Sequence, residues 1–267
     1  MRITFVGSGV MGEAILQGIL DKGLVEAGDV RASDISAERR SYIKDRYGVD
    51  TSEDNRSAIE KADLIVLAVK PVSLPEVMIQ LKGCLDPGQL VLSIVAGAKV
   101  DRVCQGLEHR KVIRAMPNMP AQIGEGITVW TATGEVKEED RQRAGAILGA
   151  LGVEVFCKDE HYIDMSTAVS GSGPAYVFTV IESLIDGAVQ IGLPHKLARE
   201  MVLQTVSGAT HMVQESGKHP AELRNMVTSP GGTTAQGLLQ LEEGGLRALM
   251  ARAIIAAYEK AKDLGRE

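Results

Sequence analysis

Residues 2–20 read RITFVGSGVMGEAILQGIL. The run RITFV (2–6) is β-rich. It is followed at once by Gly7-Ser8-Gly9-Val10-Met11-Gly12, a full G-x-G-x-x-G that opens a helix-like stretch. The pattern alone is weak, but placed between a strand and a helix it is the fingerprint of a dinucleotide site. Gly7 permits the tight turn, Gly9 lets the backbone approach a pyrophosphate, and Gly12 lets the helix pack near the strand. Unpaired amides at the helix start, at the positive end of its dipole, then face the phosphates. The competing reading is a tight strand–helix turn that holds nothing.

Working outward, the chain up to residue 157 alternates short β-rich runs with helix-like stretches. The runs are 2–6, 30–33, 64–69, 90–95, 111–116, 127–130 and 153–157, with helical spacing over 11–22, 36–47, 72–82 and 138–150. Several runs, LIVLAV among them, are apolar throughout, as expected of strands buried on both faces of a parallel sheet. The expected fold class is therefore α/β, a doubly wound, mainly parallel sheet over residues 1–158. From about residue 160 the strand signal stops. Helical spacing covers 175–191, 195–215, 220–227, 234–242 and 245–264, so residues 159–267 are expected to be an all-helical domain. Hydrophobic residues are 45% of the chain and aromatics 3%, so the core is built from Ala, Val, Leu, Ile and Met. A helical region this open is expected to complete its core with a second copy, as a homodimer or higher homo-oligomer.

Other positions fit the first glycine loop. Asp34 ends the second run, about 20 residues on, where an acid accepts hydrogen bonds from ribose hydroxyls and repels a 2′-phosphate. That leans towards NADH over NADPH. Arg39 and Arg40 pull the other way, since either is able to receive a phosphate, and Asp34 also reads as a cap for the helix near 36. Ala68-Val69-Lys70-Pro71 and Val95-Ala96-Gly97 close two further runs at the strand ends where open α/β sheets bind ligands. Lys70 equally reads as a surface lysine.

A second glycine loop, TSPGGTTAQG (228–237), interrupts the helical half. Pro230 is expected to end the preceding helix. Gly231 and Gly232 free the backbone amides of side-chain cover, and Thr233 and Thr234 suit a helix start. The loop reads as a connector with a good N-cap or as a carboxylate-sized anion site.

Net charge is −6 without a block of like charges, which argues against general nucleic-acid binding. The three cysteines, Cys84, Cys104 and Cys157, suggest neither a disulfide framework nor a zinc site and read as buried or semi-buried thiols. No ligand spacing joins His109, His161, His195, His211 and His219, which read as solvent-facing, so no metal is expected. Gly171-Ser172-Gly173 is too short for a nucleophile elbow and reads as a helix start or close-packing point. Without a signal-peptide pattern or a membrane-length apolar run, a cytoplasmic protein with no membrane partner is the expectation.

LRNMVTSPGGTTAQGL (223–238) resembles the signature segment of the pyrroline-5-carboxylate reductase family. VGSGVMG (6–12), LAVKP (67–71), RAMPNMPA (114–121), VSGSGPAYVF (169–178) and GLPHKLA (192–198) agree with it in order. The resemblance spans essentially the whole chain. It implies reduction of the cyclic imine 1-pyrroline-5-carboxylate to L-proline by NADPH or NADH, on an N-terminal Rossmann domain followed by a helical dimerisation domain. It further implies that amides at Gly232 and Thr233, beside Gly231 and with Ser229, hold the substrate carboxylate, and that the Thr234 hydroxyl bonds the imine nitrogen. Met226 stands where many relatives carry a polar ligand-binding residue, and Glu160 where they place an acid near the substrate. On the cofactor side it supports Val6, Gly7, Ser8, Gly9, Val10, Met11 and Gly12, then Asp34, Asn55, Ala68, Val69, Lys70, Pro71, Ile94, Val95 and Ala96. Many NADP-preferring relatives have an Asn-Arg-like pair after the second strand, where this chain has Asp34-Ile35.

Two rival readings remain. A β-hydroxyacid dehydrogenase shares the layout but usually places a lysine soon after the glycine-rich start of the long helix, where this chain has PAYVFTVIES. A non-catalytic dinucleotide sensor would need no carboxylate loop, so the intact TSPGGTT counts against it.

Overall fold

The computed structural model describes residues 1–265 and divides into two compact units. The first comprises Met1–Ser172 with the C-terminal segment from Ala257, the second Gly173–Ala256.

The first unit is built on eight strands: β1 (Ile3–Val6), β2 (Val30–Ser33), β3 (Asp50–Ser52), β4 (Leu64–Leu67), β5 (Leu90–Ser93), β6 (Val112–Met116), β7 (Gly126–Ala132) and β8 (Gly152–Phe156). They lie in the order β3-β2-β1-β4-β5-β6-β7-β8. Neighbours are parallel except β6 and β7, which pair antiparallel. Ile3 sits in register with Val30 on one side and Leu64 on the other. The chain therefore leaves β1 in one direction through β2 and β3, then returns to its far side at β4. That reversal opens a crevice at the C-terminal ends of β1 and β4.

Strand periodicity sorts the core onto two faces. Ile3, Phe5, Leu64 and Val66 join one cluster with Ile15, Leu16 and Ile19 of helix α1 (Val10–Asp21). Val6, Ile65 and Leu67 join the other, with Leu74 and Leu81 of α4 (Leu74–Leu81) and Leu107 of α5 (Val100–Leu107). Between them in sequence lie α2 (Ala37–Tyr47) and α3 (Asn55–Ile59), and α6 (Glu138–Gly149) and α7 (His161–Ser166) follow.

Three elements lie outside the runs and helical stretches read from the sequence. β3 is the polar tripeptide DTS, held by pairing with β2. Helix α3 is one short turn, started by Asp54, whose carboxylate accepts from the amides of Arg56 and Ser57. The sequence VDRVCQGL forms α5, with Val100, Val103 and Leu107 buried.

One histidine departs from the solvent-facing reading. His109 is buried, and its Nε2 lies 2.8 Å from the carbonyl of Gln89. A carbonyl only accepts, so Nε2 carries the proton. Burial pushes the His109 pKa down, helped by the nearby Lys111 and opposed by the bond to Gln89. A folded-state pKa below the unfolded value of about 6.5 means that the unfolded chain binds the extra proton first, so stability falls as pH drops through that value. His109→Gln keeps a donor for the carbonyl and removes the titration. The loss of Tm between pH 7.5 and 5.5 should then be smaller than in the wild type by about 2 °C, read by thermal melts at both pH values. Among the cysteines, Cys84 is exposed, contrary to expectation, while Cys104 and Cys157 are partly buried.

The second unit is helical: α8 (Gly173–Gln190), α9 (His195–Ser216), α10 (Pro220–Met226), α11 (Thr233–Glu243) and the greater part of α12 (Leu246–Leu264). Helix α10 ends at Met226, so residues 227–232, and not Pro230 alone, form the break. Within this unit only Ala198 and Val202 are buried among the described residues. Phe178, Ile191, Met201, Met212 and Ile255 are all more than half exposed, from 52% to 82%. Two buried side chains cannot offset the conformational entropy of so many ordered residues. Among the described residues no helix is long and apolar enough to cross a membrane.

Candidate functional site

The first glycine loop lies at the crevice between β1 and β4. Gly7 has φ +89°, and a Cβ there would stand 2.8 Å from both the Ala68 carbonyl oxygen and Val69 Cγ1. A Cβ on Gly12 would stand 2.8 Å from the Gly7 carbonyl oxygen. These glycines are set by the packing of the chain itself. Gly9 differs: its φ is −62° and nothing lies within 4 Å of an added Cβ. It is the N-cap of α1 and makes no side-chain cap bond. The first helical bond runs from Glu13 N to Gly9 O, at 2.8 Å. The amides of Val10, Met11 and Gly12 therefore precede any intrahelical partner. An open glycine before three free amides, at the reversal point of the sheet, fits a pyrophosphate.

Ser8 is fully buried, and both its amide and its hydroxyl donate to Asp34 Oδ2 at 3.0 Å. Asp34 Oδ1 accepts from the Ser36 amide. The cap of α2 is Ser36 itself, accepting from Arg39 N. Asp34 is thus fixed at the end of β2. Arg39 donates from Nε to the Ser8 carbonyl at 2.6 Å and from Nη2 to Glu13. Arg40 donates to the carbonyls of Asp34 and Ile35 and pairs with Glu53. Asn55 accepts from the Ser33 hydroxyl and donates to Gln80. Glu13 belongs to this corner and escaped the sequence reading. Its only signal was an acid in the first turn of α1.

Across the crevice, Ala68 and Val69 are half-buried and Lys70 and Pro71 exposed. Val6 and Val95 point into the core, so each has only backbone to offer a ligand. Ile94 is tied to Leu67 O through its amide, and Gly97, at φ +75°, lies against the last turn of α12. Behind this loop Arg114, on β6, forms two ion pairs, Nη1 to Glu160 and Nη2 to Asp164, both at 2.7 Å. The same Glu160 oxygen accepts from the Val100 amide at the start of α5. Arg114 and Asp164 carried no spacing signal. The SGSG glycines fall in and after a π-helical turn, Thr167–Gly171, where Gly171 packs on Met116.

In the second unit Gly231 has φ +69° and Gly232 is the N-cap of α11. The Gly232 amide, expected to face the substrate carboxylate, is already engaged: it donates to the Ser229 carbonyl at 3.1 Å and closes the turn. The first helical bond is Gln236 N to Gly232 O, so the amides of Thr233, Thr234 and Ala235 have no intrahelical acceptor. Thr234 is half-buried and Ser229 and Thr233 are exposed. Met226 is 63% exposed, and Lys218 Nζ lies 3.6 Å from its sulfur. No group of three or more His, Cys, Asp or Glu able to hold a metal occurs among the described residues.

Comparison with known proteins covers both units. The family described as pyrroline-5-carboxylate reductase dimerisation matches residues 160–264, and one described as NADP oxidoreductase coenzyme F420-dependent matches residues 2–97. A pyrroline-5-carboxylate reductase of Synechocystis sp. is 39% identical over 100% of this chain and 99% of its own. Among solved structures, a pyrroline-5-carboxylate reductase from Coxiella burnetii aligns with TM-score 0.89 and 36% identity, over 98% of each chain. A Plasmodium falciparum pyrroline carboxylate reductase with NADP bound aligns with TM-score 0.91 and 31% identity, over 99% of this chain and 98% of its own.

Proposed function

The chain belongs to the pyrroline-5-carboxylate reductase family, and from that premise we propose that it reduces 1-pyrroline-5-carboxylate to L-proline with a reduced nicotinamide dinucleotide. One observation carries the reading: 39% identity to such a reductase extends over the whole chain, through both glycine loops.

When bound, the reduced nicotinamide supplies a hydride to the C=N carbon. The residues of the chain do the rest. Gly7, Gly9 and Gly12, with the α1 amides, receive the pyrophosphate, and Asp34 accepts from the adenosine ribose. The backbone of Ala68–Pro71 and Ile94–Ala96 borders the cofactor. In the second unit the amides at the start of α11, beside Gly231, Gly232 and Ser229, hold the substrate carboxylate. The Thr234 hydroxyl bonds the ring nitrogen. It has no other hydrogen-bond partner among the described residues, so it is free to do so. A protonated imine is already electrophilic, so positioning and control of charge at nitrogen are what the protein contributes. Glu160 and Met226 are assigned to the substrate region by resemblance to the family.

The functional division at 158/159, with a homodimer built on the helical part, rests on the family match from residue 160 and on the apolar side chains left uncovered there. NADH is the favoured donor in this reading. Asp34 stands at the ribose corner, and both nearby arginines are already paired within the chain. A cytoplasmic location is the reading that goes with this chemistry.

The test is consumption of NADH and of NADPH with pyrroline-5-carboxylate, against a hydroxyacid control. Turnover only with hydroxyacids would support a dehydrogenase, and binding without turnover a sensor. In the same assay Thr234→Ala should lower kcat by about 10- to 100-fold, as expected for a donor that assists without being the sole acid. Unchanged kcat would remove Thr234 from the chemistry.

A further inference from the structure

We infer that Glu13 is a specificity-determining residue for the dinucleotide, holding Arg39 against itself and the Ser8 carbonyl and so withholding the cation that would otherwise pair with a phosphate on the adenosine ribose. The inference rests on the NADH reading above and supplies its physical cause.

A 2′-phosphate is recognised by an arginine near the end of the second strand, and an arginine does this through its fork of N–H donors. Arg39 is placed for the role, because its Nε already reaches the backbone of the glycine loop at Ser8 O. Two of its three nitrogens, Nε and Nη2, are engaged elsewhere. Nη2 donates to Glu13 Oε2, and the guanidinium lies over the Tyr42 ring, 4.9 Å from the centroid. Glu13 is a strong competitor for it. Its Oε1 also accepts from the Tyr47 hydroxyl at 2.7 Å and the Tyr42 hydroxyl at 3.0 Å, and Arg46 Nε stands 3.8 Å away. Burial alone would raise the Glu13 pKa, but the bonds from Arg39, Tyr47 and Tyr42 hold it below the usual carboxylate value. Glu13 therefore stays charged throughout the neutral range. A phosphate entering here would have to break a charged pair and settle beside Asp34 and Glu13 together. The other cation at this corner, Arg40, is held by two carbonyls and by Glu53.

The test is calorimetric titration of the full-length protein with NADH and NADPH, so the readout is affinity. The wild type should bind NADH more tightly. Glu13→Gln should raise the affinity for NADPH relative to NADH by about 10-fold, the scale of one charge-assisted pair. Adding Arg39→Ala to that variant should abolish the gain. A ratio in Glu13→Gln within twofold of wild type, or a gain that survives Arg39→Ala, would overturn the inference and leave the NADH reading standing. Tighter NADPH binding by the wild type would instead overturn the NADH reading. Arg39→Ala alone gives a check that does not depend on Glu13→Gln folding. It should move the ratio by less than twofold, and a selective loss of NADPH affinity would show that Arg39 already reaches the phosphate. A purely structural role for the pair would move both affinities together.

Discussion

Gly9→Ala should fold as the wild type does and bind dinucleotide about 100-fold more weakly, a change of about 2.8 kcal/mol at 1.4 kcal/mol per decade. The two halves of that expectation have separate causes. In the free chain an added methyl at Gly9 meets nothing within 4 Å, and the backbone there is in an ordinary extended conformation. Tm should therefore stay within about 2 °C, since the substitution introduces neither a clash nor strain. Affinity falls because the methyl occupies the approach to the free amides of Val10, Met11 and Gly12. Gly7→Ala is the contrasting control. Its methyl would press on the Ala68 carbonyl at 2.8 Å, and φ +89° is strained for any side chain. It should lose both Tm and affinity. Melts and titrations of both variants separate a glycine kept for the ligand from one kept for the turn. A Gly9→Ala protein that binds NADH within twofold of wild type would mean that no phosphate approaches the backbone there.

The same distinction shows how far the site was legible in the sequence. The doubly wound sheet was readable because β4 is apolar at every position and β1 and β5 at all but one, a pattern carried by consecutive residues. The glycine loops were readable because backbone geometry restricts residue type at fixed spacing. Partners joined only in space were not readable. Glu13 meets Tyr42 and Tyr47 across 29 and 34 residues, and Arg114 meets Asp164 across 50. No local period encodes those distances. Arg39 and Arg40 looked like candidate phosphate ligands because sequence gives their charge but not their existing partners. β3 stayed hidden for another reason: its three polar residues form a strand only because β2 offers them a ladder.

Arg114→Met should lower Tm by about 10 °C and weaken dinucleotide binding as well. Arg114 is 2% exposed, and it neutralises Asp164, itself 5% exposed. Removing one member of a buried pair costs about 3–5 kcal/mol, because the remaining charge is left without a partner in a poorly solvating interior. For a chain of this size each kcal/mol is worth roughly 2–4 °C. Methionine preserves much of the volume, so the loss reports charge more than packing. Asp164→Asn added to Arg114→Met should recover part of the Tm, since the orphaned carboxylate is then gone. The effect on binding follows a different path. Glu160 Oε1 bonds both Arg114 and the Val100 amide. This joins β6 to the start of α5, which follows the β5 loop containing Ile94–Ala96, proposed above to border the cofactor. Without Arg114 the Glu160 carboxylate is free to swing away and that loop loses its brace, so affinity should fall several-fold even in the double variant. Full recovery of both Tm and affinity in the double variant would instead assign everything to the unpaired Asp164 and leave Glu160 free to act on substrate.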